Sequence, residues 1–318
     1  MEIVKYGNVL NVMPMPKLVA KEMDIFMQVI SKMQFTDKHE LVFDGFDFFK
    51  ELKKLPQNKE QSYEYLFEAF SEFAGKILGF KIEYYDEPTD TQYAFVCFDS
   101  LKFDYSTSKV HIHAQKDFYN IIKNYKLGFT SFELLEFADL SSTYTKILYR
   151  LLKQFRTTGL CVISIEKFRE LMQVPDSYDM CDIDARVLKQ AIKELSAERN
   201  LLNQQRIPFK DLKCEKIKGG GRGRGGIVKG LKFTFKKETT IDLLNKAYKG
   251  LILNTAKYAL VKIIEISGVE PNIEVKFLML DDNKISKCDA NGEDAIITLT
   301  FESFERLERA IAYYKNKS

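Results

Sequence analysis

The chain turns on the stretch Asp182-Ile183-Asp184-Ala185-Arg186-Val187-Leu188-Lys189-Gln190-Ala191-Ile192-Lys193-Glu194-Leu195. Val187, Leu188, Ala191, Ile192 and Leu195 recur at 3.6-residue spacing, which predicts a helix with one buried face and Asp182 as its N-cap. Arg186, Lys189, Gln190 and Lys193 are left on the opposite side. Arginine can fork onto guanine O6 and N7, glutamine can bond adenine bidentately and lysine can neutralise phosphate, so this stripe has the chemistry of a major-groove reader. An ordinary solvated helix face is the bland alternative.

The flanks extend the pattern. Upstream, Ser141 and Ser142 are cap candidates for a helix whose Tyr144, Ile147, Leu148, Leu151, Leu152 and Phe155 form an apolar face, with Lys146, Arg150 and Lys153 on the others. A short apolar run at 160–165 leads into a second helix that starts near Ser164, buries Phe168, Leu171 and Met172, and stops before Pro175. Downstream, strand-like segments 201–209 and 212–217 enter Gly219-Gly220-Gly221-Arg222-Gly223-Arg224-Gly225-Gly226, and 227–235 follows with Leu231, Phe233 and Phe235 alternating. Strand, flexible basic loop and strand outline a wing, which offers Arg222, Arg224 and, beyond the loop, Lys229 to a DNA backbone or minor groove. The loop lacks the Gly-Lys-Ser/Thr ending of a nucleotide-cradling site and runs into a strand rather than a helix, which argues against nucleotide binding.

The runs 140–144, 148–155, 174–178 and 186–195, with Phe233-Thr234-Phe235, resemble the replication initiators of iteron-containing bacterial plasmids. The likeness is close there, weaker over 8–136 and not detected after about 238. It implies an α+β chain of two tandem winged-helix domains. It further implies a first domain that mainly dimerises and touches DNA, a second that reads directly repeated origin sites, and no catalytic residues. In that family monomers bind the repeats and dimers repress the initiator's own gene. One departure is that Asp184 and Ala185 stand where some members have consecutive arginines. Boundaries follow at 1–136, 137–238 and 239–318, the last a small α/β extension.

A chain of 318 residues with 45% hydrophobic content suits two or three folded domains. Its net charge of +3 hides a segregation: residues 140–237 hold 21 Lys and Arg against 10 Asp and Glu, a net of +11, which leaves −8 elsewhere. A basic module between acidic neighbours fits a nucleic-acid binder beside protein-contact domains. The five scattered cysteines form no Cys-x-x-Cys pair, so no zinc ribbon or disulfide scaffold is indicated and a reducing cytoplasm is expected. No stretch reaches the apolar length that spans a bilayer.

Before this module, helices are predicted over 17–35, 46–55, 63–78 and 116–125, and strands over 41–43, 80–85, 93–105, 109–113 and 127–135. The hairpin edge here is a candidate dimerisation surface through strand pairing. His111-Ile112-His113 also allows a rival reading, a metal-dependent rolling-circle nickase with Tyr119 or Tyr149 as nucleophile, although no third ligand has diagnostic spacing. After Glu238, spacing predicts a helix over 241–266, strands over 273–280 and 295–301 and a helix over 303–314. Asp281-Asp282-Asn283 and Asp289-Ala290-Asn291-Gly292 read as turns, since no acidic residue closes a calcium loop.

The expectation is therefore an initiator without cofactors that binds double-stranded origin DNA and a second copy of itself, recruits a host replicative helicase and contacts no membrane. Ser141, Ser142, Tyr144 and Arg150 are expected near phosphates. A winged-helix repressor that binds an inverted operator is the second non-enzymatic reading.

Overall fold

Period-two alternation makes Lys109–Ala114 the centre of a sheet: Val110, Ile112 and Ala114 are buried, while Lys109 and His113 face outward. It pairs antiparallel with Glu40–Asp44 on one side and Phe98–Asp104 on the other. Helices Ala20–Met33, Gly45–Glu51 and Lys59–Ile77 precede the last two strands. The computed structural model describes residues 3–13, 15–34, 36, 39–51, 59–86, 90–104, 106–125, 128–201, 204–220, 226–255, 257–289 and 293–315.

The same order then repeats. Helix Thr143–Gln154, strand Leu160–Ser164, helix Ile165–Met172 and a helix over 180–196 lead to strands Lys213–Gly219 and Ile227–Thr234, and the last strand again lies in the centre. Each half also carries a small hairpin between its third helix and its second sheet strand, Lys81–Asp86 with Thr91–Val96 and Arg199–Leu201 with Gln204–Arg206. Three helices and a strand order of first, third, second, present twice, define two tandem winged helices in an α+β chain. Gly230 is required in the central strand of the second, because a Cβ there would stand 2.8 Å from the Ile163 carbonyl oxygen.

The halves share one core that runs from Val4 to Phe235. Strand Ile3–Gly7, which was not anticipated, pairs with Phe129–Glu133 and brings Tyr6 under helix Thr143–Gln154. That helix corrects the sequence reading. Of its apolar face Leu148, Leu151 and Leu152 are buried and Tyr144, Ile147 and Phe155 half-buried, but Lys146, Arg150 and Lys153 are buried as well, at 0%, 5% and 3% exposure. Lys146 Nζ donates to Asp24 Oδ1 at 2.6 Å and to the Phe137 carbonyl at 2.7 Å. Lys153 Nζ lies 3.2 Å from Glu136 Oε1, to which the Tyr149 hydroxyl donates at 2.7 Å. Arg150 donates from Nε to the Tyr6 hydroxyl at 3.1 Å and from Nη2 to the Leu10 carbonyl at 3.1 Å. The polar side of this helix meets the first winged helix rather than solvent.

Residues 237–318 form a separate compact unit. Strands Ile252–Thr255, Ala259–Val269, Asn272–Met279 and Ile296–Phe301 make an antiparallel meander, and Leu244 of helix Thr240–Tyr248 and Leu307 and Ile311 of helix Phe304–Lys315 enter its core. The helix expected over 241–266 thus ends at Tyr248, where Gly250 (φ +90°) turns the chain into the sheet. Asn245 links the two, donating to the Ile266 carbonyl at 2.6 Å and accepting its N–H at 2.8 Å. Asp281 Oδ1 accepts from Ile285 N at 2.7 Å, the bonding of a side-chain-capped turn, and Asp289 Oδ1 accepts from Glu293 N at 3.1 Å, while the turn expected at Ala290, Asn291 and Gly292 lies outside the described residues.

Removing one partner of a fully buried pair leaves the other charge uncompensated. Asp24→Ala should therefore lower unfolding free energy by about 3–5 kcal/mol in urea titrations, whereas Asp24→Leu combined with Lys146→Met should recover most of that loss.

Candidate nucleic-acid interface

The cap of the helix over 180–196 lies three residues earlier than expected. Asp179, not Asp182, is the N-cap: its Oδ1 accepts from Asp182 N at 2.8 Å, while Asp182 Oδ2 accepts from Asp179 N at 3.4 Å. Ile183–Leu188 then winds as a wide π-turn before regular helix resumes over Lys189–Ser196. Ile183, Val187, Ala191 and Leu195 are fully buried, which leaves Arg186, Lys189, Gln190 and Lys193 together on the exposed side.

Arg186 is held in place. Its Nε lies 3.1 Å from Asp182 Oδ1, its Nη1 donates to the Tyr178 hydroxyl at 3.4 Å, and its guanidinium carbon stands 5.1 Å from the Tyr178 ring centroid. Lys189, Gln190 and Lys193 have no hydrogen-bond or ion-pair partner among the described residues. Asp184, at the departure from the family pattern, forms an ion pair with Lys216 on strand Lys213–Gly219, so the helix is tied to the wing. Lys218 and Lys229 are exposed on the two wing strands, and Gly219 leaves room for the Lys229 side chain, whose Cε would lie 2.3 Å from a Cβ there. Arg222 and Arg224 fall outside the described residues.

The first helix of this domain offers less to a phosphate than expected. Ser142 Oγ accepts from Thr145 N at 3.1 Å as the N-cap, and the Ser141 N–H donates to Glu194 Oε1 at 2.7 Å. The protein's own carboxylate thus sits at this positive helix end. Ser141 is exposed and Tyr144 half-buried. Arg150 is a correction: its buried bonds to Tyr6 and Leu10 remove it from any DNA surface. Tyr178, Lys216 and Lys218 were not singled out beforehand. The Lys-x-Lys alternation at 216 and 218 was a usable signal for a strand face, whereas Tyr178 lies in a turn, where spacing carries no face information.

The nickase reading fails on geometry. Tyr119 is 7% exposed and donates to the Thr36 carbonyl at 2.5 Å, while Tyr149 is fully buried on Glu136. His113 Nδ1 lies 2.9 Å from Asp99 Oδ2, and His111 Nδ1 3.9 Å from Glu40 Oε1. Among the described residues no three His, Cys, Asp or Glu side chains are grouped to hold a metal.

Two winged helices, the second with an exposed cationic third helix and a lysine-bearing wing, define the class of DNA-binding winged-helix proteins. Residues 3–153 match the family described as "Initiator Replication protein, WH1" and residues 164–235 that described as "Initiator Rep protein, WH2", so this chain belongs to the initiator replication protein family. It is a replication initiator. A "Probable replication protein rep" of Bifidobacterium longum (strain NCC 2705) is 27% identical over 240 residues, 75% of this chain and 74% of that protein. The fold is similar to that of the Pi initiator protein, solved in complex with iteron DNA, with a TM-score of 0.53 and 14% identity over 74% of this chain and 98% of that one. No helix among the described residues is long and apolar enough to cross a membrane.

Glu194 provides a pH test. Burial pushes its carboxyl up, but the Ser141 N–H, the Thr145 and Ser141 hydroxyls and the Arg199 guanidinium outweigh burial and hold it below the ordinary glutamate value. A depressed pKa stabilises fully above the unfolded value, and the contribution is lost as pH falls through the folded one. Denaturation midpoints between about pH 6 and about pH 3 should therefore fall more steeply for the wild type than for Glu194→Gln.

Proposed function

We propose that this initiator binds directly repeated sites at a plasmid origin through its second winged helix. The observation that carries the reading is the exposed, unoccupied row of Lys189, Gln190 and Lys193 beside a tethered Arg186. In this reading the third helix enters the major groove, Arg186 and Gln190 meet base edges, and Lys189 and Lys193 meet phosphate. Arg222, Arg224 and Lys229 hold adjacent backbone, while the hydroxyls of Ser141, Ser142 and Tyr144 lie near a flanking phosphate. The Pi initiator, which shares the fold, is bound to iteron DNA, and this supports the same use here.

The domain divisions 1–136, 137–238 and 239–318 follow from the same reading. The first winged helix dimerises through strand pairing on the two-stranded hairpin Lys81–Asp86 and Thr91–Val96. Several copies acting in the cytoplasm bend an A·T-rich origin, where deformation is cheap, and recruit a host helicase. Dimers repress the initiator's own gene.

Arg186→Ala should cost about 1–3 kcal/mol at one cognate base pair and little on random DNA. Lys193→Ala should weaken all sequences alike and reduce the salt slope by about one. Equal losses on cognate and random duplexes for Arg186→Ala, measured by footprinting, would remove it from base reading. Preference for an inverted over a direct repeat would favour a repressor.

A further inference from the structure

A cavity of about 600 Å³ lies between the two winged helices. Met13, Met15, Leu18, Ile147, Leu151 and Leu171 give it a largely apolar wall drawn from both domains. Arg150 lines the same space although only 5% exposed. Its hydrogen bonds go to the Tyr6 hydroxyl, the Leu10 carbonyl and, at 3.5 Å, Asn11 Oδ1. Burial pushes the Tyr6 phenol up, so all three acceptors are neutral. Among the described residues no carboxylate pairs with Arg150, and its Nη1 carries no hydrogen bond.

The other charges at the cavity do not fill this role. Glu170 pairs with Lys167 at 2.8 Å, and Lys76 pairs with the buried Glu22 at 2.7 Å. Lys17 lines the cavity, is exposed, and has no partner among the described residues. Most of this guanidinium is buried without a counter-charge, and its unbonded Nη1, which stays accessible, favours a carboxylate. Apolar cavities of this size with few polar anchors are the kind that small ligands occupy.

We propose that this cavity binds a medium-chain monocarboxylate. The carboxylate accepts from Arg150 Nη1, the alkyl chain lies along the methionine-bearing wall, and Lys17 attracts the anion at the mouth. Unbranched methionine side chains adapt to a flexible chain. One free guanidinium end suits a single carboxylate rather than a polyphosphate.

The test is calorimetric titration of the full chain with decanoate below its micelle concentration, with decanol and decylamine as neutral and cationic controls. Saturable one-to-one binding is expected for decanoate, at least tenfold tighter than for decanol and absent for decylamine. Arg150→Met should abolish the preference for the acid over the alcohol. Because Arg150 also holds Tyr6 and Leu10, Leu171→Trp provides an independent check: it fills the cavity with Arg150 intact and should weaken decanoate at least tenfold. Equal affinity for acid and alcohol, or undiminished binding in Leu171→Trp, would overturn the proposal.

Discussion

The buried charge pairs of helix Thr143–Gln154 are the constraint on which the two-domain arrangement rests. Lys146 and Lys153 each meet a carboxylate, Asp24 and Glu136, in places closed to water. Such pairs return little net stability compared with an apolar replacement, but leaving either partner alone is costly. They therefore act on geometry: the first winged helix can rest against this helix only where Asp24 reaches Lys146 and Glu136 reaches Lys153. Phe137, with its ring centroid 4.6 Å from Lys146 Nζ, and Phe209, 5.0 Å from Lys153 Nζ, close the apolar surround.

From that fixed helix, the placement of the DNA-facing surface follows by short steps. Glu194 on the third helix accepts from Ser141 N and from Arg199 Nη2, and Arg199 also bonds the Asp139 carbonyl at 2.9 Å. The third helix is thereby anchored to the start of the first. At its other end Asp184 reaches Lys216 on the wing. The exposed row is thus presented by a helix fastened at both ends, and its first member, Arg186, is ordered by Tyr178 and Asp182 before any ligand arrives. Preorganisation of this kind reduces the entropy that binding must spend.

Much of this was legible in the sequence. Periodicity found the four exposed residues of the third helix, because a helix with Val187, Ala191 and Leu195 inside has little choice about Arg186, Lys189, Gln190 and Lys193. The family resemblance supplied the repeated architecture. Spacing misread Lys146, Arg150 and Lys153, since it identifies the most apolar face and cannot say what the remaining faces meet. Asp24 is 122 residues away from Lys146 in the chain, beyond any local pattern. Residues 259–269 misled for another reason: Leu260, Val261, Ile263, Ile264 and Ile266 satisfy helix and strand spacing alike, and the bulge between Ile263 and Glu265 breaks the alternation. Gly250 was the available stop signal.

The enclosed Asp24–Lys146 pair also has a consequence for inheritance. A single replacement at either position strands a charge in the interior, so the route from this pair to an uncharged contact passes through a poorly folded intermediate. Descendants of this sequence should keep both residues or exchange them jointly, and correlated change at 24 and 146 would record the domain contact in sequence variation alone.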